Sequence, residues 1–235
     1  MHCTKYLAAA LVALSTMGGI AHATCVPYGA IAAKYNQLGG ANGPLGVCTG
    51  NEFDDGAGGR IEFFAGGQID WDGQSSVAYA VWGPVAVKWQ ALGAATWGHP
   101  TQDLTTTPDR KGTYGWFRNN SGGVTTIYDK PNSFNCIEQP CAAHVVLGAI
   151  LSEWANLSYE RGVLGYPITD EQNYYGYGGW SGERYSEFDN GFIRWRPDGS
   201  LLVKLTNDQC PLMTGSYVVD QQQNGIDWCP FWPFP

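Results

Sequence analysis

The chain has 235 residues, a formal net charge of −8, 32 Gly, 10 Trp and 13 Tyr. An acidic chain without a basic cluster argues against nucleic acid and against anionic membrane surfaces as partners. Glycine at roughly twice its usual ~7% share, set among so many aromatics, points to short strands and tight turns instead of a helical bundle.

Lys5, the apolar stretch YLAAALVALSTMGGI and Ala21-His22-Ala23 read as the n-region, h-region and cleavage site of a secretory signal peptide. Residues 1–23 are therefore expected to leave, and the mature chain to start at Thr24 and be secreted or associated with the cell envelope. No later stretch approaches the ~20 apolar residues of a membrane-spanning helix. Six cysteines remain after Cys3 goes: Cys25, Cys48, Cys136, Cys141, Cys210 and Cys229. An even number in an exported chain reads as disulfides. Proximity favours Cys25 with Cys48, Cys136 with Cys141, and Cys210 with Cys229, among about 15 connectivities. With no CxxC and only His99 and His144 in the mature chain, neither a metal site nor a cofactor is expected.

From Gly29 onward the chain repeats itself. GAIAAKYNQLGG, GPVAVKWQALGA and GAILSEWANLS place Ile31, Tyr35 and Leu38, then Val85, Trp89 and Leu92, then Ile150, Trp154 and Leu157 at i, i+4 and i+7. That spacing predicts one apolar face on each of three short helices. Gly39-Gly40 or Gly93 stops the helix, and Pro84 sits where a first turn tolerates it. A turn follows each helix: PLGVCTGNE, TWGHPTQDL and VLGYPITDE, with a shared Leu/Trp-Gly-x-Pro/Cys and then an acid or amide. Gly-rich loops come next, DDGAGGR in the first unit and YYGYGGWSGER in the third.

Each unit closes on a hairpin. RIEFFAGGQIDW and YSEFDNGFIRW share Phe-x-x-Gly-x-Ile-x-Trp at Phe64 to Trp71 and Phe188 to Trp195. The turns are expected at Gly66-Gly67 and Asn190-Gly191, because both positions accept positive φ. Alternation then puts Ile69 with Trp71, and Ile193 with Trp195, on one strand face. The second unit is degenerate here. It offers Phe117, a longer turn and Ile127-Tyr128, followed by an insertion around Cys136 and Cys141. The units run 29–82, 83–147 and 148–205, forming one domain over 24–205, with a disulfide-pinned tail over 206–235. One such unit cannot bury its own apolar face, but three can share a core. The expected class is α+β, rich in β-hairpins. A closed propeller-like array would leave the fewest open sheet edges; the sequence leaves ring against open stack undecided, along with the oligomeric state.

These landmarks resemble the LGFP repeat family, whose unit of about 50 residues has an Ile-x-x-x-Tyr helix, an LGxP turn followed by an acid, and a Phe-x-x-Gly-x-Ile-x-Trp hairpin. The likeness covers about residues 29 to 205. The first unit departs from it with Cys48 in the proline position. The second departs with Trp97 for Leu, Leu104 for the acid and a disrupted hairpin. The resemblance implies an exported, envelope-associated protein that attaches to cell-wall glycan such as peptidoglycan, or to another polysaccharide.

Sugar rings stack on aromatic faces, and their hydroxyls bond to neighbouring carboxylates and amides. Asp170, Glu171, Tyr174, Tyr175, Tyr177 and Trp180 combine both in the third unit and are the candidate ligand-binding set. Trp71 and Trp195, at equivalent hairpin positions, read as repeat core. A glycoside hydrolase of muramidase type is the enzymatic alternative. It would need two carboxyls across one bond, with Glu52, Asp54, Asp170 and Glu171 the leading candidates and Asp55, Asp103 and Glu183 behind them. Glu52 and Glu171 stand at equivalent positions, however, which reads as turn structure. His99 and His144 have no signposted partner, and Asp70-Trp71-Asp72-Gly73 reads as a turn, not a calcium loop. A further alternative is an extracellular structural or protein-interaction module working through the aromatic tail.

Overall fold

The computed structural model describes residues 25–119, 121–131, 143–176 and 179–205. The N-terminal stretch read as a signal peptide, Tyr177, the cysteines at 136, 141, 210 and 229, and the tail lie outside these residues.

Three nine-residue helices each introduce a sheet: α1 (Gly29–Gln37), α2 (Gly83–Ala91) and α3 (Gly148–Asn156). Each begins on a glycine with φ of 57–63°. The residue before it is extended, so the chain turns from strand to helix at one position that only glycine occupies without strain. That is why Gly heads every unit. The first two helices end at Leu38 and Leu92, followed by Gly39 and Gly93 in the left-handed region. In the third, Ser158 takes that conformation with φ 74°.

The first sheet is β1 (Phe53–Asp54), β2 (Arg60–Phe64), β3 (Gly67–Trp71) and β4 (Tyr79–Trp82), antiparallel in that order. The second contains β5 (His99–Pro100), β6 (Thr105–Thr106), β7 (Thr113–Arg118), β8 (Val124–Asp129) and β9 (His144–Leu147), with β5 and β6 both pairing with β7. The third is β10 (Gln172–Gly176), β11 (Gly179–Phe188), β12 (Gly191–Trp195) and β13 (Leu201–Leu205).

Two local expectations are corrected. On either side of residues 177–178, the stretch expected as a Gly-rich loop forms the paired strands β10 and β11, in register at Tyr175↔Trp180. Its aromatics favour a pleated surface over an open loop. The hairpin glycines Gly67 and Gly191 are not turn residues either. They open β3 and β12, paired with Phe64 and Phe188. A Cβ at Gly67 would meet Val81 O at 2.3 Å, and one at Gly191 would meet Lys204 O at 2.0 Å. The recurring glycine therefore lets the next strand's backbone approach.

The units stack in an open row, and the propeller-like closure that the sequence left possible does not occur: among the described residues the three sheets stay separate and form no barrel or propeller. The reason is that the units meet face to face through helices, not edge to edge around an axis. α1 packs on β3 and β4; α2 lies against β3 and β4 on one side and β7 and β8 on the other; α3 does the same between β8, β9 and β12, β13. Three cores follow. Ile31, Leu45, Phe64, Ile69 and Ala80 fill the first. Ile61 and Val81 from the far face of the first sheet join Val85, Trp89, Phe117 and Ile127 in the second. Tyr128 and Val146 join Ile150, Trp154, Leu164, Phe188 and Ile193 in the third. Trp89 and Trp154 are fully buried, each donating its indole N–H to the glycine carbonyl of the following turn, Gly98 or Gly165. Cys25 and Cys48 form the expected disulfide beside the first core.

Candidate functional site

Two units carry the same row of side chains. In the first, Arg60 faces Trp71 across β2 and β3, and its Nε donates to Glu52 Oε1 at 2.8 Å. A second donor, Arg60 Nη2, reaches the Glu52 carbonyl at 3.1 Å. In the third, Arg184 faces Trp195, its Nε donates to Glu171 Oε1 at 2.8 Å, and its Nη2 reaches the Glu171 carbonyl at 3.3 Å. Two donors of one planar fork hold the acid in a fixed place. Both tryptophans are half-buried, one face packed on the adjacent core. The second unit has Leu104, Thr113 and Asp129 in these positions, so the row is absent from it.

The first row borders a cleft of about 550 Å³ against the start of α1. Tyr28, Ala33, Glu52, Trp71, Ser75 and Ser76 line it. The Trp71 indole N–H donates to Ser75 O, and Tyr28 accepts from Arg60 Nη2 at 3.4 Å. The cleft thus combines aromatic surface, a carboxylate and two serines, and the Arg60 guanidinium stands behind its Tyr28 and Glu52 walls.

The residues singled out from sequence are placed as follows. Tyr175 is 68% exposed. Tyr174 is half-buried, with the Arg194 guanidinium 4.3 Å from its ring centre and the Tyr185 ring edge-on at 5.9 Å. Trp180 lies on β11 beside Tyr175 by register. Asp170 does not join the aromatics: its Oδ1 accepts the Val145 N–H at 2.9 Å, and Oδ2 takes the Lys88 ammonium. Burial opposes ionisation there, but hydrogen bonds from His144, Lys88 and the Val145 amide bring its pKa down to about 2. Asp103 is built the same way, on Ala80 N–H at 2.9 Å and Lys34 Nζ at 2.7 Å. These two aspartates bind each unit to the helix and last strand of the unit before it. Asp54 is exposed and accepts the Gly56 N–H. Glu183 pairs with Arg194 at 3.5 Å and Arg196 at 3.7 Å.

The variable residue of the LGxP turn makes a second junction. Tyr166 reaches into the preceding unit, where its hydroxyl bonds to Thr107 Oγ1 and Asp109 Oδ1. His99 does the same in the first unit, with Nδ1 2.7 Å from Asp70 Oδ2 and 3.7 Å from Asp55 Oδ2. Burial raises the Asp70 carboxyl above its ordinary range, and the hydrogen bond with Asp70 raises the His99 imidazole. Sequence reasoning gave His99 no partner and read Asp70 as part of a turn. It also passed over Arg60 and Arg184, although each precedes the hairpin Phe by four positions.

The architecture defines a tandem-repeat protein whose units are joined by ion pairs and whose exposed chemistry recurs at the ends of the two central strands of a sheet. The chain belongs to the LGFP repeat family: the family's model, the LGFP repeat, matches residues 45–96 and 98–162. Each matched segment starts at a Leu/Trp-Gly turn, crosses one sheet, and ends beyond the next helix. No curated protein matches the chain.

Proposed function

We propose that the mature chain is a secreted, noncatalytic glycan-binding repeat protein, with cell-wall polysaccharide as its ligand and residues 24–205 acting as one domain. The observation that carries this reading is the duplicated row of acid, arginine and half-exposed tryptophan, Glu52–Arg60–Trp71 and Glu171–Arg184–Trp195. A tryptophan face offers a stacking platform, and a fixed carboxylate and guanidinium beside it offer an acceptor and donors for ring hydroxyls. The cleft at Trp71 supplies concavity, and exposed Tyr175 extends the aromatic surface of the third unit. Three of the four leading carboxylates considered for hydrolysis favour binding over cleavage: Glu52, Glu171 and Asp170 are each paired with a cation, Arg60, Arg184 and Lys88. The Cys25–Cys48 disulfide fits an oxidising, extracytoplasmic setting, and among the described residues no helix is long and apolar enough to cross a membrane.

The test is co-sedimentation of the mature protein with insoluble peptidoglycan, with chitin and cellulose particles beside it. Selective pelleting with peptidoglycan is expected, with no release of reducing ends. Protein that stays in solution with all three particles would overturn the reading.

A further inference from the structure

The two unit junctions use the same slot but fill it differently. Between the second and third units, Tyr166 meets Thr107 and Asp109, and the slot is closed by the uncharged Tyr128 ring, 6.3 Å away between centroids. One acid meets one phenol, and the hydrogen bonds are complete. Between the first and second units, the residue equivalent to Tyr128 is Asp70. His99 therefore faces two carboxylates, Asp55 and Asp70, whose side chains are 0% and 1% exposed.

Those carboxylates are not satisfied by the protein. Asp55 Oδ1 accepts the Ala57 and Gly59 N–H groups at 2.8 and 2.9 Å, which fixes the side chain in its glycine loop. Its Oδ2 has no hydrogen-bond partner and points at His99. Asp70 Oδ1 also has none. Two buried negative charges against at most one positive imidazolium leave an excess of charge in a low-dielectric place, which is costly unless compensated. Joining the two units requires only the single acid that the other junction uses. The second acid is surplus to that task.

We propose that Asp55, Asp70 and His99 form a site for a divalent transition-metal ion of the zinc class, clamped between the first and second units. One atom from each residue can be chosen so that all three lie within 4.8 Å of one another. Ligands about 2.0–2.2 Å from a zinc ion lie roughly 3–4 Å apart; His99 Nδ1 lies 3.7 Å from Asp55 Oδ2, within that range, and 2.7 Å from Asp70 Oδ2, a hydrogen-bond distance that lengthens slightly when an ion replaces the shared proton. A dication with a neutral imidazole balances the two carboxylates. His99 retains 13% side-chain exposure, which gives an ion a way in. Two oxygens and one imidazole nitrogen suit zinc or manganese better than a thiolate-seeking ion.

The experiment is isothermal titration of the EDTA-stripped, dialysed mature protein with zinc chloride, alongside thermal melting with and without the metal. One equivalent of zinc is expected to bind, with a rise in melting temperature of several degrees. Asp70→Asn and His99→Gln should each weaken binding at least tenfold and abolish the rise, while Asp54→Asn, whose side chain turns to solvent, should change neither. Circular dichroism before titration establishes that each variant is folded. The proposal is overturned by a wild-type protein that takes up no zinc, or by folded D70N and H99Q variants that bind it as wild type does. Wild-type protein without zinc uptake would leave the cluster a buried imidazole–carboxylate pair.

Discussion

Lys34 Nζ lies 2.7 Å from Asp103 Oδ2, and the other oxygen of that aspartate accepts the Ala80 N–H. One carboxylate thereby holds both the helix and the last strand of the first unit. Lys88 and Asp170 repeat the arrangement at the next junction, with Val145 donating the amide.

Asp103→Ala should therefore destabilise more than the loss of a surface ion pair. It leaves the Lys34 ammonium, 8% exposed, without its carboxylate and removes the acceptor of the Ala80 amide. The expected cost is about 2–3 kcal/mol, between that of an exposed pair and a fully buried one. Urea unfolding followed by circular dichroism checks this. A midpoint unchanged from wild type would show that the junction does not depend on the pair.

Glu62 gives the fold a pH dependence. It is fully buried on β2, neither oxygen has a partner, and burial, with the nearby Glu52 charge, pushes its pKa up to about 7. The unfolded chain titrates this group near its ordinary value of 4.5. Between those values the native state holds the proton more tightly, so its contribution is fully present below about pH 4.5 and is lost as pH rises through about 7. The loss is at most about 3 kcal/mol. Glu62→Gln should flatten this part of the profile and be more stable than wild type at pH 8. Melting temperatures of the two proteins from pH 4 to 8 give the difference; parallel curves would contradict the assignment.

Gly67→Ala tests the role of the hairpin glycine. Its new methyl would meet backbone atoms, Val81 O at 2.3 Å and Trp82 Cα at 2.6 Å, with no flexible side chain to yield. Strand β4 must shift, and since it leads directly into α2, the second unit shifts with it. A loss of about 1–3 kcal/mol or more is expected, read as a lowered melting temperature. A wild-type melting curve would show that β4 accommodates the group.

Trp71→Ala and Trp195→Ala address binding. Each single variant should retain part of the affinity for peptidoglycan, and the double variant should lose almost all of it. Half-burial means that each substitution also costs stability, about 1–3 kcal/mol from the area lost, so the pellet assay belongs well below the melting point. Equal pelleting of the folded double variant and wild type would remove the rows from the binding surface.

The helices, the Leu-Gly turns and the hairpins were legible in the sequence because each is a local pattern: Ile31, Tyr35 and Leu38 repeat on a helical period, and Phe64 to Trp71 on a strand period. What joins the units was not. Lys34 and Asp103 are 69 positions apart, Lys88 and Asp170 are 82, and His99 and Asp70 are 29. No periodicity links a residue on a helix to the turn of the following unit until the stacking direction is known. Glu52 and Glu171 were recognised as equivalent, but their partners Arg60 and Arg184 lay unremarked in the very hairpins whose other residues were matched. Gly191 misled for a different reason: Asn-Gly is a turn signal locally, while here the glycine answers to a neighbouring backbone that local sequence does not display.

The degenerate second unit has a consequence for how a long ligand would be held. It carries neither the tryptophan nor the arginine of its neighbours, yet its helix and sheet set the interval between Trp71 and Trp195. Two weak contacts at a fixed interval act as one bivalent grip, since the second engages at the high local concentration set by the first. If the rows bind glycan as proposed, a polymer long enough to span both would be retained by avidity, whereas a short oligosaccharide would meet only one contact at a time and leave quickly. The middle unit would then serve as a spacer whose thickness selects for ligand length.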